Sequence, residues 1–257
     1  SKLFNKKVIV FLHGWDDEFE EKISSNSFYK KVFLSVFNMT DVFILLGDLF
    51  LKKLTGLGIR CKKVEYLPTI ADDTYIEAPE HAGPSKPKTY RLLFIGGFVP
   101  LKGIDIVLQS FQYLQSVNSD LTFELIMAGD GPELAKCKQF VKDQNLTNVT
   151  FPGHVAGLEK HNCFKAADIL FFPSITEGLP LVIMEAMLYG LAIVTRPIGG
   201  IPTWVKHNIN GWLSDSKDPK VFADGILTLV SQPDLLNEMK KTNTNIALNN
   251  FTPAKVK

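Results

Sequence analysis

The sequence predicts an α/β fold built on parallel β-sheets. From Tyr90 onward, short runs of β-branched and aromatic residues alternate with longer segments of helical periodicity, which is typical of βαβ units. Pro132 and Pro180 stand where first helical turns are expected, and Gly190 stands where a helix should end in a left-handed residue. With 257 residues, 46% of them hydrophobic, the chain can bury one large core or two modest ones.

Nine segments have the composition and length of β-strands. They are 8–12, 42–46, 63–67, 90–95, 121–128, 149–151, 168–172, 192–195 and 211–213. Helical periodicity is clearest in the second part of the chain. The helices predicted there are 104–117, 133–145, 158–166, 180–189, 201–206, 219–231 and 234–248.

The composition divides the chain into a partial domain over residues 1–80 and a complete domain over 81–257. Segment 77–88 is rich in proline, glycine and charged residues, which is typical of a linker. The first part offers only three strands around one or two helices, whereas an independent α/β domain usually needs about 100 to 150 residues. We therefore expect the first domain to be incomplete.

Charge and cysteine content exclude several classes of function. Twenty-eight basic residues against 27 acidic ones leave a net charge of +1, so no global field attracts nucleic acid. Cys61, Cys137 and Cys163 are far apart in sequence, which argues against a zinc site and against a disulfide framework. A reducing, cytoplasmic location is expected, and any phosphate must be bound by local geometry.

The segment from Pro173 to Met187 carries the strongest functional signal. It follows a buried strand, opens a helix and has two glutamates with seven residues between them. A helix N-terminus with free backbone N–H groups suits a diphosphate. The residues predicted to form it are Gly178, Leu179, Pro180, Leu181 and Val182. Glu177 could accept hydrogen bonds from sugar hydroxyls and Glu185 from a ribose diol, although both could also be ordinary helix charges.

Four further segments are individually weak signals. Gly96 and Gly97 open a glycine-rich loop with one cation, Lys102, which resembles other phosphate loops without matching their spacing. Gly129 follows a strand in a Gly-Asp-Gly-Pro turn, and His154 follows another in a loop. The fourth segment is the end of the first strand. It places His13 at the carboxyl edge of a sheet, where α/β proteins bind ligands.

Together these motifs resemble the group 1 retaining glycosyltransferases, which have the GT-B architecture. The resemblance rests on Glu177 and Glu185 with their spacing, on Lys102-Gly103 in the register of the family, and on the Gly199-Gly200 pair. It implies two Rossmann-like domains, of which the second is a complete doubly wound parallel sheet that holds the nucleotide sugar.

The resemblance also implies a reaction and the residues that serve it. A hexose would pass from a nucleoside diphosphate sugar to an acceptor hydroxyl with retention, with Glu177 and His13 as catalytic residues and no metal. The residues expected to bind the donor are Gly96, Gly97, Lys102, Gly129, His154, Gly178, Leu179, Pro180, Leu181, Val182 and Glu185. No cofactor is expected beyond the donor, for which a UDP-sugar is favoured.

The expected partners follow from the same resemblance. The acceptor would be a saccharide or a lipid-linked saccharide, which leaves a peripheral membrane contact open. The exposed edge of an incomplete first sheet favours a homodimer.

Two departures from the family keep alternatives open. Gly97 stands where the family has the arginine that grips the diphosphate, and Thr203 stands where it commonly has glutamate. Arg196 or Lys165 would restore the missing charge if the fold brought either of them close. The chain could therefore be a nucleotide-sugar-binding module or an inactive relative without transferase activity of its own, and an epimerase of the same architecture is a further alternative.

Overall fold

The computed structural model describes residues 6–67, 74, 89–117 and 120–252. Its contacts group the chain into two compact units. The first unit comprises Ser1–Thr69, Glu177–Pro180 and Ile198–Trp204, and the second comprises Ile70–Thr176, Leu181–Pro197 and Val205–Lys257. The predicted linker 77–88 and the predicted boundary after residue 80 lie outside the described residues.

The first unit contains a three-stranded parallel sheet in the order β1-β2-β3. The strands are β1 (Ile9–Leu12), β2 (Val42–Leu45) and β3 (Val64–Tyr66), as predicted to within two residues. Ile9 is paired with Val42, and Phe43 is paired with Val64.

The expectation of one or two helices in this part was wrong, because three helices accompany the sheet. They are α1 (Asp17–Ser25), α2 (Ser27–Phe37) and α3 (Asp48–Leu57). Asn26 explains the extra helix. Its extended backbone ends α1, and its side chain accepts hydrogen bonds from the backbone N–H groups of Phe28 and Tyr29, which caps α2. One residue thus divides what would otherwise be a single helical run.

The second unit is a six-stranded parallel sheet in the order β6-β5-β4-β7-β8-β9. Its strands are β4 (Thr89–Ile95), β5 (Thr122–Ala128), β6 (Val149–Gly153), β7 (Ile169–Phe172), β8 (Ala192–Thr195) and β9 (Gly211–Leu213). Its helices are α4 (Ile104–Ser116), α5 (Leu134–Asp143), α6 (Gly157–Ala166), α7 (Leu181–Leu188), α9 (Pro219–Ser231) and α10 (Pro233–Asn250). Between α7 and α9 in sequence, α8 (Ile201–Trp204) belongs to the first unit.

The strand order confirms the predicted doubly wound sheet. From β4 the chain moves outward through β5 to β6, then returns to the other side of β4 and moves outward through β7 and β8 to β9. β7 and β8 are buried at every position, as expected for central parallel strands that are covered on both faces. The carboxyl ends of β4 and β7 therefore form the switch point, where sheets of this kind bind ligands.

A buried amide network connects α10 to the sheet. The side-chain N–H groups of Asn243 donate to the carbonyl oxygens of Leu191 and Asn210, at 2.7 and 2.8 Å. Asn210 in turn donates from its side chain to Oδ1 of Asn243 at 2.9 Å. Both asparagines are fully buried, so each polar atom in this network needs its partner.

No helix in the described ranges is both long enough and apolar enough to cross a membrane.

The three cysteines are free thiols, and burial together with nearby carboxylates of Asp105 and Glu133 raises the pKa of Cys137 to about 11. The ordinary value is 9.0, so the folded state keeps this proton in a range where the unfolded state loses it.

Cys137 should therefore make stability depend on pH in alkaline solution. Its contribution is fully present below about pH 9 and falls by about 1.4 kcal/mol per pH unit until about pH 11. Urea unfolding of the wild type and Cys137→Ala at pH 8, 9 and 10 tests this. The stability difference between the two proteins should shift against the wild type as pH rises, whereas a constant difference would contradict the assignment.

Candidate functional site

The loops after β4 and β7 are joined at the switch point of the second unit. The backbone N–H of Ile175 donates to the carbonyl oxygen of Leu101 at 2.8 Å. The hydroxyl of Ser174 donates to the same oxygen at 3.1 Å. This contact fixes the loop that carries Lys102 beside the segment that leads into α7.

Gly103 makes this close approach possible. Its φ is +72°, and a Cβ at this position would clash with the carbonyl oxygen of Pro173. Lys102 directly precedes it at the end of a 3-10 turn, half-buried, with its ammonium group 5.7 Å from the ring centroid of Phe172. Lys102-Gly103 thus pairs a cation with the residue that lets the two loops touch.

The loops after β5 and β6 extend the same edge of the sheet. The backbone N–H of Gly129 donates to the carbonyl oxygen of Gly153 at 2.7 Å, and that of Phe98 donates to the carbonyl oxygen of Asp130 at 2.9 Å. Gly153 has a φ of +84°, and the next residue, His154, is exposed. The structure therefore brings the loops of Gly96, Gly97, Lys102, Gly129 and His154 to one continuous edge.

Gly129 should not tolerate a side chain. Its φ is +136°, and a Cβ would clash with the carbonyl oxygen of Gly96. Gly129→Ala should lower the free energy of unfolding by at least about 2 kcal/mol, because strain and steric overlap add. Gly97→Ala is a matched control, since nothing lies within 4 Å of a Cβ built there. Equal unfolding midpoints in urea for the two variants would refute this reading of the edge.

The helix predicted over 180–189 spans Leu181–Leu188, so Gly178, Leu179 and Pro180, which were expected in its N-terminus, precede it. A residue before proline is disfavoured in helical conformation, which keeps Leu179 out of the helix. Glu177 is half-buried on the segment before α7, while Leu181 is exposed and Val182 is half-buried in its first turn. The free N–H groups of the helix therefore belong to Leu181 and its successors.

Glu185 lies on α7 as predicted, and it is buried with a partner that sequence reasoning missed. Only 5% of the residue is exposed, and Lys160 Nζ on α6 donates to its Oε1 at 2.5 Å. Just after the end of α7, the Tyr189 hydroxyl is 2.8 Å from Nδ1 of His161, the neighbour of Lys160. A lysine 25 residues before Glu185 gave no pattern by which sequence could have paired them.

Within the first unit, the segment Glu177–Pro180 packs tightly against two glycines. The backbone N–H of Gly200 donates to the carbonyl oxygen of Gly178 at 2.6 Å, and a Cβ on Gly199 would clash with the carbonyl oxygens of Glu177 and Gly178. A Cβ on Gly178 would itself clash with the carbonyl oxygen of His13. Glycines at these positions permit backbone contacts that no other residue would allow.

His13 follows β1, where it was predicted. Its ring is exposed and packs against Phe11, with 3.8 Å between the ring centroids.

Thr203 has a structural role that accounts for its departure from the family pattern. Its Oγ1 accepts a hydrogen bond from the backbone N–H of Asp48 at 2.9 Å, at the first turn of α3. The N-cap residue of α3 is Gly47, which has no side chain to cap the helix. Thr203 thus supplies the capping oxygen from a distant part of the chain.

Neither candidate for the missing arginine is directed toward Lys102. Arg196 follows β8, and its Nη2 donates to the carbonyl oxygen of Asp215 after β9, on the side of β8 opposite to β7 and β4. Its Nε and Nη1 are buried without a hydrogen-bond partner among the described residues. Lys165 lies in the last turn of α6, which leads into the amino end of β7, so it lies toward the opposite edge of the sheet.

In the described ranges, no group of three or more His, Cys, Asp or Glu side chains could hold a metal ion. The candidate site consists of glycine-rich loops, one lysine on the loop after β4, and a buried Lys–Glu pair between α6 and α7.

The fold and its switch point define a doubly wound α/β protein of the kind that binds ligands at the carboxyl edge of its sheet. Within that class, residues 77–246 match the model of the family "Glycosyl transferases group 1". The chain belongs to this family, which confirms the resemblance inferred from the motifs.

Two curated relatives show how much of a family member the chain spans. It is 25% identical over 235 residues to the amylovoran biosynthesis glycosyltransferase AmsK of Erwinia amylovora, covering 89% of this chain and 56% of that protein. It is 29% identical over 143 residues to the uncharacterized glycosyltransferase MJ1178 of Methanocaldococcus jannaschii, covering 56% of this chain and 39% of that protein. The chain thus spans about half the length of these relatives.

Solved structures of low sequence identity share the fold. The Anabaena protein Alr3699/HepE in complex with UDP has a TM-score of 0.78 at 19% identity, over 100% of this chain and 71% of that one. The sucrose-phosphate synthase of Thermosynechococcus elongatus has a TM-score of 0.73 at 18% identity, over 99% of this chain and 67% of that one. These matches confirm the α/β fold class with the GT-B architecture.

Proposed function

We propose that the second unit binds a nucleoside diphosphate sugar, preferably a UDP-sugar. We further propose that the protein transfers a hexose from this donor with retention of the anomeric configuration. The observation that carries the proposal is the contact between the Leu101 carbonyl and Ile175, which places Lys102 beside the segment entering α7. Family membership and the UDP bound to HepE support the choice of ligand.

The diphosphate would lie between Lys102 and the first turn of α7. The ammonium group supplies a full positive charge, and the free N–H groups of α7 supply hydrogen bonds and the positive end of the helix dipole. Because the chain as a whole carries a net charge of only +1, these local groups must provide the attraction.

The two glutamates would bind the two ends of the donor. Glu185 on α7 would accept hydrogen bonds from the ribose hydroxyls, and Glu177, eight residues earlier, from hydroxyls of the sugar. His154 would lie near the base, where backbone groups do most of the reading.

In the proposed reaction, the bond between the anomeric carbon and the diphosphate oxygen breaks, and a bond to the acceptor oxygen forms on the same face of the sugar. Lys102 and the N-terminus of α7 would stabilise the charge that develops on the leaving diphosphate, without a metal ion. Glu177 and His13 are the residues proposed as catalytic, and the proton of the acceptor hydroxyl would pass to a diphosphate oxygen.

Calorimetric titration with UDP, GDP and ADP tests donor binding directly. We expect saturable binding of UDP at one site, weakened in Lys102→Ala and in Glu185→Ala. Absence of binding to all three nucleotides would overturn the proposal, and stronger binding of GDP or ADP would replace the assigned base. Incubation with UDP-glucose and a panel of oligosaccharides then tests transfer, with nuclear magnetic resonance of the product reporting the anomeric configuration.

A second candidate is a nucleotide-sugar-binding module that does not transfer the sugar. Gly97 favours it, because the second cation that would stabilise a leaving diphosphate is missing at this position. Tight UDP-sugar binding without transfer to any acceptor, and without hydrolysis, would select this candidate.

Gly97→Arg should restore the missing charge. The loop has room for a side chain there, since nothing lies within 4 Å of a built Cβ and the backbone does not need a positive φ. We expect the dissociation constant for UDP to fall about tenfold, as for one added charge-assisted hydrogen bond. Gly97→Gln, of similar length without the charge, should leave affinity within about threefold, and equal gains in both variants would disprove the charge argument.

The remaining partners are also proposals. An acceptor saccharide, free or linked to a lipid at a membrane surface, fits the biosynthetic relatives by analogy. β1 lies at the edge of the first sheet, and a second copy pairing along it would give a homodimer, for which light scattering should report twice the mass of the chain. The three free thiols support a reducing, cytoplasmic location.

A further inference from the structure

Lys160 makes the closest polar contact to a residue of the proposed donor site. Its Nζ lies 2.5 Å from Oε1 of Glu185, and the side chains are 33% and 7% exposed, respectively. The pair connects two helices that both begin after strands at the carboxyl edge of the sheet, α6 after β6 and α7 after β7. No feature of the sequence assigned Lys160 to the site.

The surroundings of Glu185 make a free carboxylate unfavourable. Every other residue of α7 from Ile183 to Leu188 is buried and apolar, so the carboxylate is the one charge on this stretch of helix. A charge taken out of water in this way must be paired or hydrogen-bonded. Among the described residues, Lys160 is its hydrogen-bond partner, and the bond occupies only one of the two oxygens.

Contacts of the neighbouring residues on α6 hold the backbone of Lys160 in place. His161, the next residue, contacts the hydroxyl of Tyr189 through Nδ1, and Phe164 stacks on the Tyr189 ring with 5.1 Å between centroids. These contacts fix the rotation of α6 against α7. Lys160 therefore faces Glu185 from α6.

We infer that Lys160 is a positioning residue for the ribose of the donor: its ammonium group holds Oε1 of Glu185 and thereby presents Oε2 to the ribose hydroxyls. The inference rests on the proposed role of Glu185 in binding the nucleotide. Lys160 acts through Glu185 and makes no contact with the reacting atoms.

This arrangement has a specific consequence for substrate choice. A carboxylate whose one oxygen is already bound loses little conformational entropy when its other oxygen accepts a hydrogen bond from a hydroxyl. The lysine therefore strengthens the hydrogen bond between the ribose hydroxyl and Glu185. A 2′-deoxynucleotide lacks one of the two ribose hydroxyls, so it loses a hydrogen bond to this carboxylate. Discrimination between ribose and deoxyribose should therefore depend on Lys160 as well as on Glu185.

The experiment compares the affinities for UDP and 2′-deoxy-UDP by calorimetry, in the wild type and in variants of the pair. We expect the wild type to favour UDP by about tenfold or more, as for one hydrogen bond to a charged group. Lys160→Met should weaken UDP binding about tenfold and bring the ratio close to one, whereas Lys160→Arg should keep the ratio within about threefold of wild type.

Two further variants separate positioning from general loss of structure. Lys160→Met combined with Glu185→Leu removes both charges, so it leaves no unpaired buried charge and should unfold at a temperature near wild type while its ratio stays near one. Lys142→Met removes an exposed lysine of α5 and should change neither affinity nor ratio.

The outcomes distinguish the inference from the proposal on which it rests. No UDP binding in the wild type overturns both. If Glu185→Leu alone preserves the ratio, Glu185 does not bind the ribose and the proposed role of this residue fails. The role of Lys160 alone is disproved if Glu185→Leu brings the UDP to 2′-deoxy-UDP ratio to one, but a folded Lys160→Met protein keeps the wild-type ratio. The same holds if Glu185→Leu brings the ratio to one and Lys160→Arg loses the wild-type ratio.

Discussion

Lys102→Met is expected to weaken UDP binding by about 10-fold to 100-fold, because it removes the one full positive charge on the loop after β4. The half-buried side chain lies beside the joined loops of the switch point, where solvent screens it less than an exposed lysine. Methionine keeps most of the length and the contact with Phe172, so the loops should stay joined. Calorimetric titration at low and high salt measures the effect.

The salt dependence distinguishes a phosphate contact from a change of fold. In the wild type, affinity for UDP should fall as salt rises, and Lys102→Met should show a shallower dependence. Lys241→Met, which removes an exposed lysine paired with Glu238 on α10, should behave like wild type in both respects. An unchanged dissociation constant in Lys102→Met would remove this residue from the donor site.

Asn243→Leu should produce the largest loss of stability among the substitutions considered. Leucine has the same branching, but it cannot make the three hydrogen bonds that Asn243 makes with the carbonyl oxygens of Leu191 and Asn210 and with the side-chain amide of Asn210. All three lie in a fully buried region, and each contributes about 1 kcal/mol, so the free energy of unfolding should fall by about 3 kcal/mol or more.

Urea unfolding followed by circular dichroism measures this loss, with the slope of the transition as a check that the unfolded state is unchanged. Asn249→Leu is the matched control on the same helix, since its side chain is exposed and, among the residues that the structure describes, bonds only to the carbonyl of Asn245 one turn before it. The control should stay within about 0.5 kcal/mol of wild type. Similar losses in both variants would contradict the assignment of the loss to the buried network.

The secondary structure of the second unit was predictable because local signals agreed with the tertiary structure. β8 and β9 match the predicted ranges, and Gly190 has the left-handed conformation expected of a helix terminator, with a φ of +67°. The buried strands β7 and β8 read as continuous apolar runs, which only a sheet covered on both faces requires. The number of helices in the first unit was not predictable in the same way, because Asn26 acts as a cap only in its actual conformation.

The site was predictable where a motif lies within one loop and unpredictable where its parts are distant in sequence. Lys102-Gly103 and the two glutamates stand out in the sequence, and the structure shows Lys102 on the loop after β4, whereas the role of these residues in binding the donor stays a prediction. The pair of Lys160 with Glu185, the cap of Thr203 on α3 and the direction of Arg196 all depend on which helix faces which. These contacts have no sequence signature, because a lysine or threonine that faces solvent looks the same.

The hydrogen bond from Asp48 to Thr203 spans 155 residues, and it lies within a unit that also takes in Glu177–Pro180 and Ile198–Trp204. When synthesis has reached only Thr69, the chain does not yet contain Thr203, whose hydroxyl caps α3. It also lacks the glycines that Leu46 and His13 contact. Contacts this distant are slow to form, because a long loop must close before they contribute. During translation, the first sheet must therefore wait until residues 198–204 have emerged before it can reach its final structure.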